Sequence, residues 1–196
     1  MRRRQDILDA SLAIFDRDGF DAAKMEDIAA EAEVAKGTLY LYFDSKAALL
    51  EGVIQSAIIP TIEAADSTAR AHVGSSTDLL KQQMKIMAQR MVSPEMRTLL
   101  RYMMSGNTEN HKRIVKFYFE NVVQTGISLL GDTINKGVKN KEFRKDINGM
   151  DPLVLLGSQI YMTVWKILFE DFSPIDIDLL NEDLLQILLD GMKLSP

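Results

Sequence analysis

The chain has 196 residues, 46% of them hydrophobic and 26% charged, which suits a globular protein of one or two domains with room for a sizeable core. It contains no cysteine, which excludes disulfides, thiolate metal sites and a cysteine nucleophile, and which fits a reducing cytoplasm. The formal net charge is −5, so any polyanionic partner has to meet a local basic face rather than the chain as a whole.

The first ten residues, MRRRQDILDA, are basic but run directly into an amphipathic pattern, without the apolar core or small-residue cleavage site of a signal peptide. Ile7, Leu8, Ser11, Ile14 and Phe15 recur at helical spacing, which predicts a first helix over residues 3–18 with Gly19 as its stop. Met25, Ile28, Ala29 and Ala32 form a second stripe at i, i+3, i+4 and i+7. Glu33-Val34-Ala35 interrupts it, and Leu39 and Phe43 open a third. Burying Ile28, Val34, Leu39 and Phe43 together crosses these two short helices and turns Lys36, Gly37, Thr38, Tyr40 and Tyr42 outward. That is how a helix-turn-helix offers its second helix to a major groove, so the pattern predicts binding to duplex DNA. Leu41 stands beside the tyrosines, where it either touches a thymine methyl or packs.

Asp44-Ser45 offers a cap for a fourth helix over residues 46–69, in which Pro60 is expected to produce a kink. After a loop-like stretch at residues 72–77, everything reads as helix. Expected spans are 78–92, 94–104 with Pro94 at its first position, 109–139, 152–169 and 177–192. In the long 109–139 helix, Val115, Tyr118, Phe119, Val122, Leu129 and Leu130 are expected to face inward. The stretch LVLLGSQIYMTVWKILF, from Leu153, is apolar almost all round. It is shorter than the ~20 residues of a membrane span and is interrupted by Ser158, Gln159 and Lys166. The reading is therefore a helix covered on one side by its own domain and on the other by a second copy, with no membrane. No strand and no internal repeat is found. The fold class is all-α, with about nine helices: a helix-turn-helix DNA-binding domain over 1–46 and a helical ligand-binding and dimerisation domain over 47–196.

Residues 1–50 hold seven Lys or Arg against ten Asp or Glu, so even the expected reader is acidic in sum. Salt screens charges beyond ~8 Å, which makes their distribution decisive. Arg2, Arg3, Arg4, Lys24, Lys36 and Lys46 can share one side, away from Glu26, Asp27, Glu31 and Glu33. Such a chain is expected to bind nonspecific DNA weakly and to rely on base contacts and dimer symmetry.

With these residues in view, the chain resembles the TetR family of bacterial transcription regulators. The likeness runs over about residues 7–53, in ILDASLAIFDRDGF and in MEDIAAEAEVAKGTLYLYFDSKAALL; beyond that it rests on helix number and length. The resemblance implies that Lys36, Gly37, Thr38 and Tyr40 approach base edges and sugar-phosphate, that Tyr42 and Lys46 hold phosphates, and that Lys24 and Leu41 lie at the same surface. Arg2–Arg4 could form an arm to the backbone or minor groove. Three positions depart from the family pattern: Lys24 where threonine often caps helix 2, Ala35 where serine often precedes helix 3, and Glu33 where glycine is frequent.

The resemblance further implies a cytoplasmic, nucleoid-associated homodimer, paired through its last two helices on a palindromic operator. A small apolar or amphipathic effector would release it as a repressor, with the helix beginning at Lys46 carrying the change. Methionines crowd two consecutive helices, at Met84, Met87, Met91, Met96, Met103 and Met104, and methionine suits both a plain core and an adaptable pocket. Met84, Met87, Met91, Met103, Tyr118, Val122, Tyr161 and Trp165 are the candidate effector contacts, with Gln124 a further polar handle. A DNA-binding architectural or cell-division factor without an inducer is the alternative of a different class. No catalytic constellation is visible, so the chain is read as a non-enzyme. His72 and His111 lie far apart, with no nearby carboxylate pair at helical spacing; His111 is expected at the surface by default, or else to cap its helix or line a cavity. No glycine-rich phosphate loop occurs, and neither cofactor nor metal is expected. Acids such as Asp176 and Asp178 are read as favouring the dipole of the last helix.

Overall fold

The computed structural model describes residues 2–106 and 108–192, which are 79% helical with no strand. The helices are α1 (Arg2–Asp18), α2 (Met25–Glu31), α3 (Lys36–Tyr42), α4 (Lys46–Val53), α5 (Ile59–Ala71), α6 (Ser76–Met91), α7 (Pro94–Ser105), α8 (Glu109–Tyr118), α9 (Gln124–Lys139), α10 (Leu153–Leu168) and α11 (Ile177–Met192). A π turn at Ile54–Ile58 joins α4 to α5, and another at Phe119–Val123 joins α8 to α9. Each pair is thus one continuous helix, and the described residues form the nine expected.

The fourth helix continues through Pro60, with a π turn at Ile54–Ile58 just ahead of it and Thr61 Oγ1 donating to Ala57 O. One expectation needs correction. In the long helix Phe119 is exposed, and the buried stripe runs through Ile114, Tyr118 and Val122 to Leu130 and Ile134. The π turn inserts an extra residue and shifts the phase of that stripe, which a uniform 3.6-residue period could not anticipate.

The chain divides into two compact units, one holding Met1–Thr61 with Pro94–Val122 and the other Ile62–Ser93 with Val123–Pro196. In the first, α1 packs on α2, α4 and α7 around Ile7, Leu8, Ile14, Phe15, Ile28, Leu39, Leu49 and Leu50, all at most 1% exposed. Gly52 lets α4 approach closely, since a Cβ there would meet Leu8 Cδ2 and Phe43 Cε1 at 2.9 Å. Ion pairs add Asp16 to Arg101 at 3.2 Å and to Arg97 at 3.7 Å, and Glu51 to Arg113 at 3.5 Å. By length and composition Lys46–Ala71 could cross a bilayer. Its first half instead spends Leu49, Leu50, Val53, Ile54 and Ile58 on this core.

In the second unit, α6 packs against α9, α10 and α11 around Leu80, Met84, Leu130, Ile134, Phe143, Leu155, Leu185 and Leu189. α9 ends in a Schellman motif, with Glu142 N–H donating to Gly137 O and Lys141 N–H to Val138 O, and Lys141 at φ 62°. The chain reversal lays the Phe143 ring across Gly137 and aims the Glu142 carboxylate at the start of α6. There it accepts from Ser76 N–H at 2.8 Å, Thr77 N–H at 2.9 Å and the Thr77 hydroxyl at 3.1 Å. On α10 only Leu155, Gln159, Met162 and Thr163 are buried; Val154, Ile160, Tyr161, Leu168 and Phe169 are exposed, as are Leu179, Leu180 and Ile187 on α11.

Candidate nucleic-acid interface

The interface begins with how α2 stops. Val34 N–H donates to Ala29 O and Glu33 N–H to Ala30 O, a second Schellman motif, with Glu33 at φ 53° in the position where glycine is the default. Neither neighbouring helix start has a side-chain cap: Lys24 before α2 and Ala35 before α3 make none. The three departures noted in the sequence therefore have direct structural counterparts. Tertiary burial of Met25, Ile28, Ala29 and Leu39 holds the two short helices in their place.

On α3 only Leu39 is buried, and Phe43 closes the helix with its N–H on Leu39 O. Lys36, Gly37, Tyr40, Leu41 and Tyr42 are exposed and Thr38 half-buried, all on one short helix. Leu41, at 85% exposed, is open to solvent rather than packed. A Cβ on Gly37 would meet nothing within 4 Å, so no packing inside the protein requires glycine there. Lys24 is exposed at the adjoining start of α2.

Two lysines are already engaged. Lys36 forms an ion pair with Glu26 of α2; hydrogen bonding and charge between them raise the lysine pKa and lower that of the carboxylate. Lys46 Nζ donates to Phe20 O at 2.6 Å and Asp21 O at 2.9 Å, and lies 5.0 Å from the centre of the Phe20 ring. It ties the α1–α2 corner to the start of α4, while Ser45 caps α4 by accepting from Ala48 N–H. Sequence reasoning missed both partnerships, because each joins residues at least ten positions apart.

Arg2–Arg4 are the first turn of α1 rather than an extended arm, and the Arg4 guanidinium sits 5.1 Å over the Phe43 ring. The helix expected over residues 3–18 begins at Arg2, the first described residue. His111 is buried, contrary to the surface position expected. Its Nε2 lies 3.0 Å from the carbonyls of Tyr102 and Met103, which can only accept, so Nε2 carries the proton. Tyr102 stacks edge-on against Phe20, which links this corner to α7.

The eight expected effector contacts divide between the units. Met84, Met87, Met91, Tyr161 and Trp165 belong to the second, and Met103, Tyr118 and Val122 to the first. Met84 is sealed in the core, Tyr161 is exposed, and Trp165 Nε1 donates to Ser173 O. Tyr118 donates to Met96 Sδ, and burial pushes its pKa up to about 12. Gln124 is exposed. An open cleft of about 450 Å³ in the second unit is lined by Lys81, Lys85, Asp178, Asn181 and Glu182 among others, and by none of the eight. That cleft was not legible in the sequence, where Asp178 reads as an acid favouring the dipole of the last helix.

Residues 7–53 match the family described as bacterial regulatory proteins, tetR family. The HTH-type transcriptional repressor KstR of Mycolicibacterium smegmatis is 54% identical over 48 residues, a match that covers 24% of this chain and 24% of KstR. The chain thus spans about a quarter of the length of these curated relatives. The HTH-type regulator YvdT of Bacillus subtilis is 28% identical over 142 residues, 72% of this chain and 70% of YvdT. Among solved structures, FadR from Bacillus subtilis in complex with stearoyl-CoA is 19% identical with a TM-score of 0.75, covering 95% of this chain and 98% of FadR. The ketosteroid regulator KstR2 of Mycobacterium tuberculosis is 18% identical with a TM-score of 0.71, covering 98% and 96%. These structural likenesses establish a shared fold along the length, and the relatives are regulators of a non-enzyme class. The segment over residues 7–53 thus matches the tetR family of bacterial regulatory proteins, and the chain as a whole shares its fold with these solved regulators.

Proposed function

We propose that the chain is a ligand-responsive, sequence-specific DNA-binding transcription regulator, acting as a homodimeric repressor on a palindromic operator in the bacterial cytoplasm. The observation that carries this reading is α3, which buries Leu39 and leaves Lys36, Gly37, Tyr40, Leu41 and Tyr42 exposed on a helix short enough to enter a major groove. Tyr40 and Leu41 would read base edges and methyls, Thr38 would donate to an acceptor, and Lys24, Lys36 and Tyr42 would hold phosphates. Lys46 would act on phosphate with the donor capacity that Phe20 O and Asp21 O leave it. The functional division is a reader over 1–46 and an effector and dimer region over 47–196.

Pairing through α10 and α11 would cover the exposed apolar residues of both helices and give an isologous interface. The effector would be small and apolar or amphipathic, a reading supported by the stearoyl-CoA complex of FadR and by the ketosteroid regulator KstR2. Of the candidate contacts, Met84, Met87, Met91, Tyr161 and Trp165 share the second unit and would hold it there. Because Met84 is buried, admitting it requires that side chain to repack, for which methionine is suited.

The test is selection of binding sites from random duplexes by the full chain, followed by affinity measurements on the enriched sequence. A two-fold symmetric site with half-sites about one helical turn apart is the expected product. Tyr40→Ala should flatten the preference for that site over unrelated duplexes. Absence of any enriched sequence would overturn the reading. A stearoyl thioester or a steroid that raises thermal stability and releases the DNA would support the effector; stabilisation without release would favour a regulator that is not induced.

A further inference from the structure

The reader is acidic in sum, and one of its acids is placed where it matters most. Glu26 lies in the first turn of α2, exposed, and its Oε1 accepts from Lys36 Nζ across the turn between the helices. Lys36 is the first residue of α3, where the positive end of the helix dipole disfavours a cation and no side chain caps the free amides. A DNA phosphate near Lys36 would compete for the same ammonium donors. Glu26 offers the lysine an alternative acceptor that is permanently present, at a concentration no free phosphate matches. Asp27 in the same turn and Glu31 at the far end of α2 add negative charge without an ion pair to Lys36.

We infer that Glu26 is an affinity-limiting residue of the DNA interface, an internal carboxylate that competes with the DNA phosphate for Lys36. The inference rests on the proposed DNA-binding function. In the free protein the pair is closed. On DNA, Lys36 exchanges a carboxylate for a phosphate, so the contact brings little net counterion release and little gain in affinity for duplexes in general. Base contacts by Tyr40, Leu41 and Thr38 are unaffected by the exchange. Glu26 therefore lowers binding to all sequences alike and leaves discrimination to α3.

The test compares the full-length parent, Glu26→Gln and Glu63→Gln on short mixed-sequence duplexes and on the selected operator, each across a salt titration. Glu63 is an exposed acid of α5 in the other unit, and its change matches the charge difference. Glu26→Gln is expected to tighten binding to both duplexes by about three-fold near 0.1 M salt and to steepen the slope of log affinity on log salt by nearly one. Glu63→Gln should do neither. In a Lys36→Met background the gain from Glu26→Gln should vanish, as a double-mutant cycle requires when one contact carries the effect. Glutamine is isosteric and the position is exposed, and Glu26→Ala serves as the second variant should glutamine hydrogen-bond Lys36. A parent that binds DNA while Glu26→Gln and Glu26→Ala bind no more tightly than Glu63→Gln overturns the role of Glu26 alone, as does a gain that persists without Lys36. A parent that binds no duplex overturns the DNA-binding function itself.

Discussion

Gly37 is a position that packing inside the protein does not require to be glycine. It stands inside α3, where glycine costs about 1 kcal/mol relative to alanine, and nothing in the protein lies within 4 Å of the Cβ that alanine would add. Gly37→Ala is therefore expected to raise stability by about 0.5–1 kcal/mol in urea unfolding while weakening operator binding, since the new methyl meets only what docks on α3. A variant more stable and equally tight would mean that the groove does not approach this position. At this scale much was legible: alternation of buried and outward residues in AKGTLYLYF settles which side of α3 is free. The partners of Lys36 and Lys46 were not, because nothing in local spacing announces a bond from residue 46 back to the carbonyls of residues 20 and 21.

Among the elements, the link from α9 to α6 carries a pH dependence of definite sign. Burial alone would raise the Glu142 pKa, but the amides of Ser76 and Thr77 and the Thr77 hydroxyl outweigh it and hold the carboxyl below its ordinary 4.5. A depressed folded value means that the stabilisation is complete above about pH 4.5 and is lost as pH falls through the folded pKa. Glu142→Gln should cost about 1–2 kcal/mol at pH 7 and progressively less as pH falls through the folded pKa, as followed by urea unfolding across pH. A cost that stays constant as the pH falls would show that charge is irrelevant to this cap. The helices themselves were readable from apolar spacing and from Ser, Pro and Gly at their ends. The π turns were not, because Ile54–Ile58 and Phe119–Val123 have no glycine or proline to mark them and reveal themselves only through a shifted burial phase.

For the molecule as a whole, α10 and α11 set the expected assembly. Ile187 is 72% exposed on α11, in keeping with the apolar residues left uncovered on α10. If a second copy covers that face, Ile187→Glu should convert a dimer into a monomer in sedimentation analysis at micromolar concentration and weaken operator binding by losing the paired reader. A dimer that survives the change places the interface elsewhere. The sequence suggested a boundary near residue 46, where the motif ends, whereas compactness assigns α7 and α8 to the same unit as α1–α4. Arg97, Arg101 and Arg113 carry no signal of that attachment until their acidic partners are seen. The interruption has a consequence during synthesis. A ribosome releases α1–α4 well before α7 and α8, so Asp16 and Glu51 wait for arginines not yet translated, and the flank that α7 will cover stays open to chaperones and proteases. A fragment ending within residues 62–93 would thus contain all of α3 yet lack the arginines that pair with Asp16 and Glu51, leaving the flank of α1 uncovered.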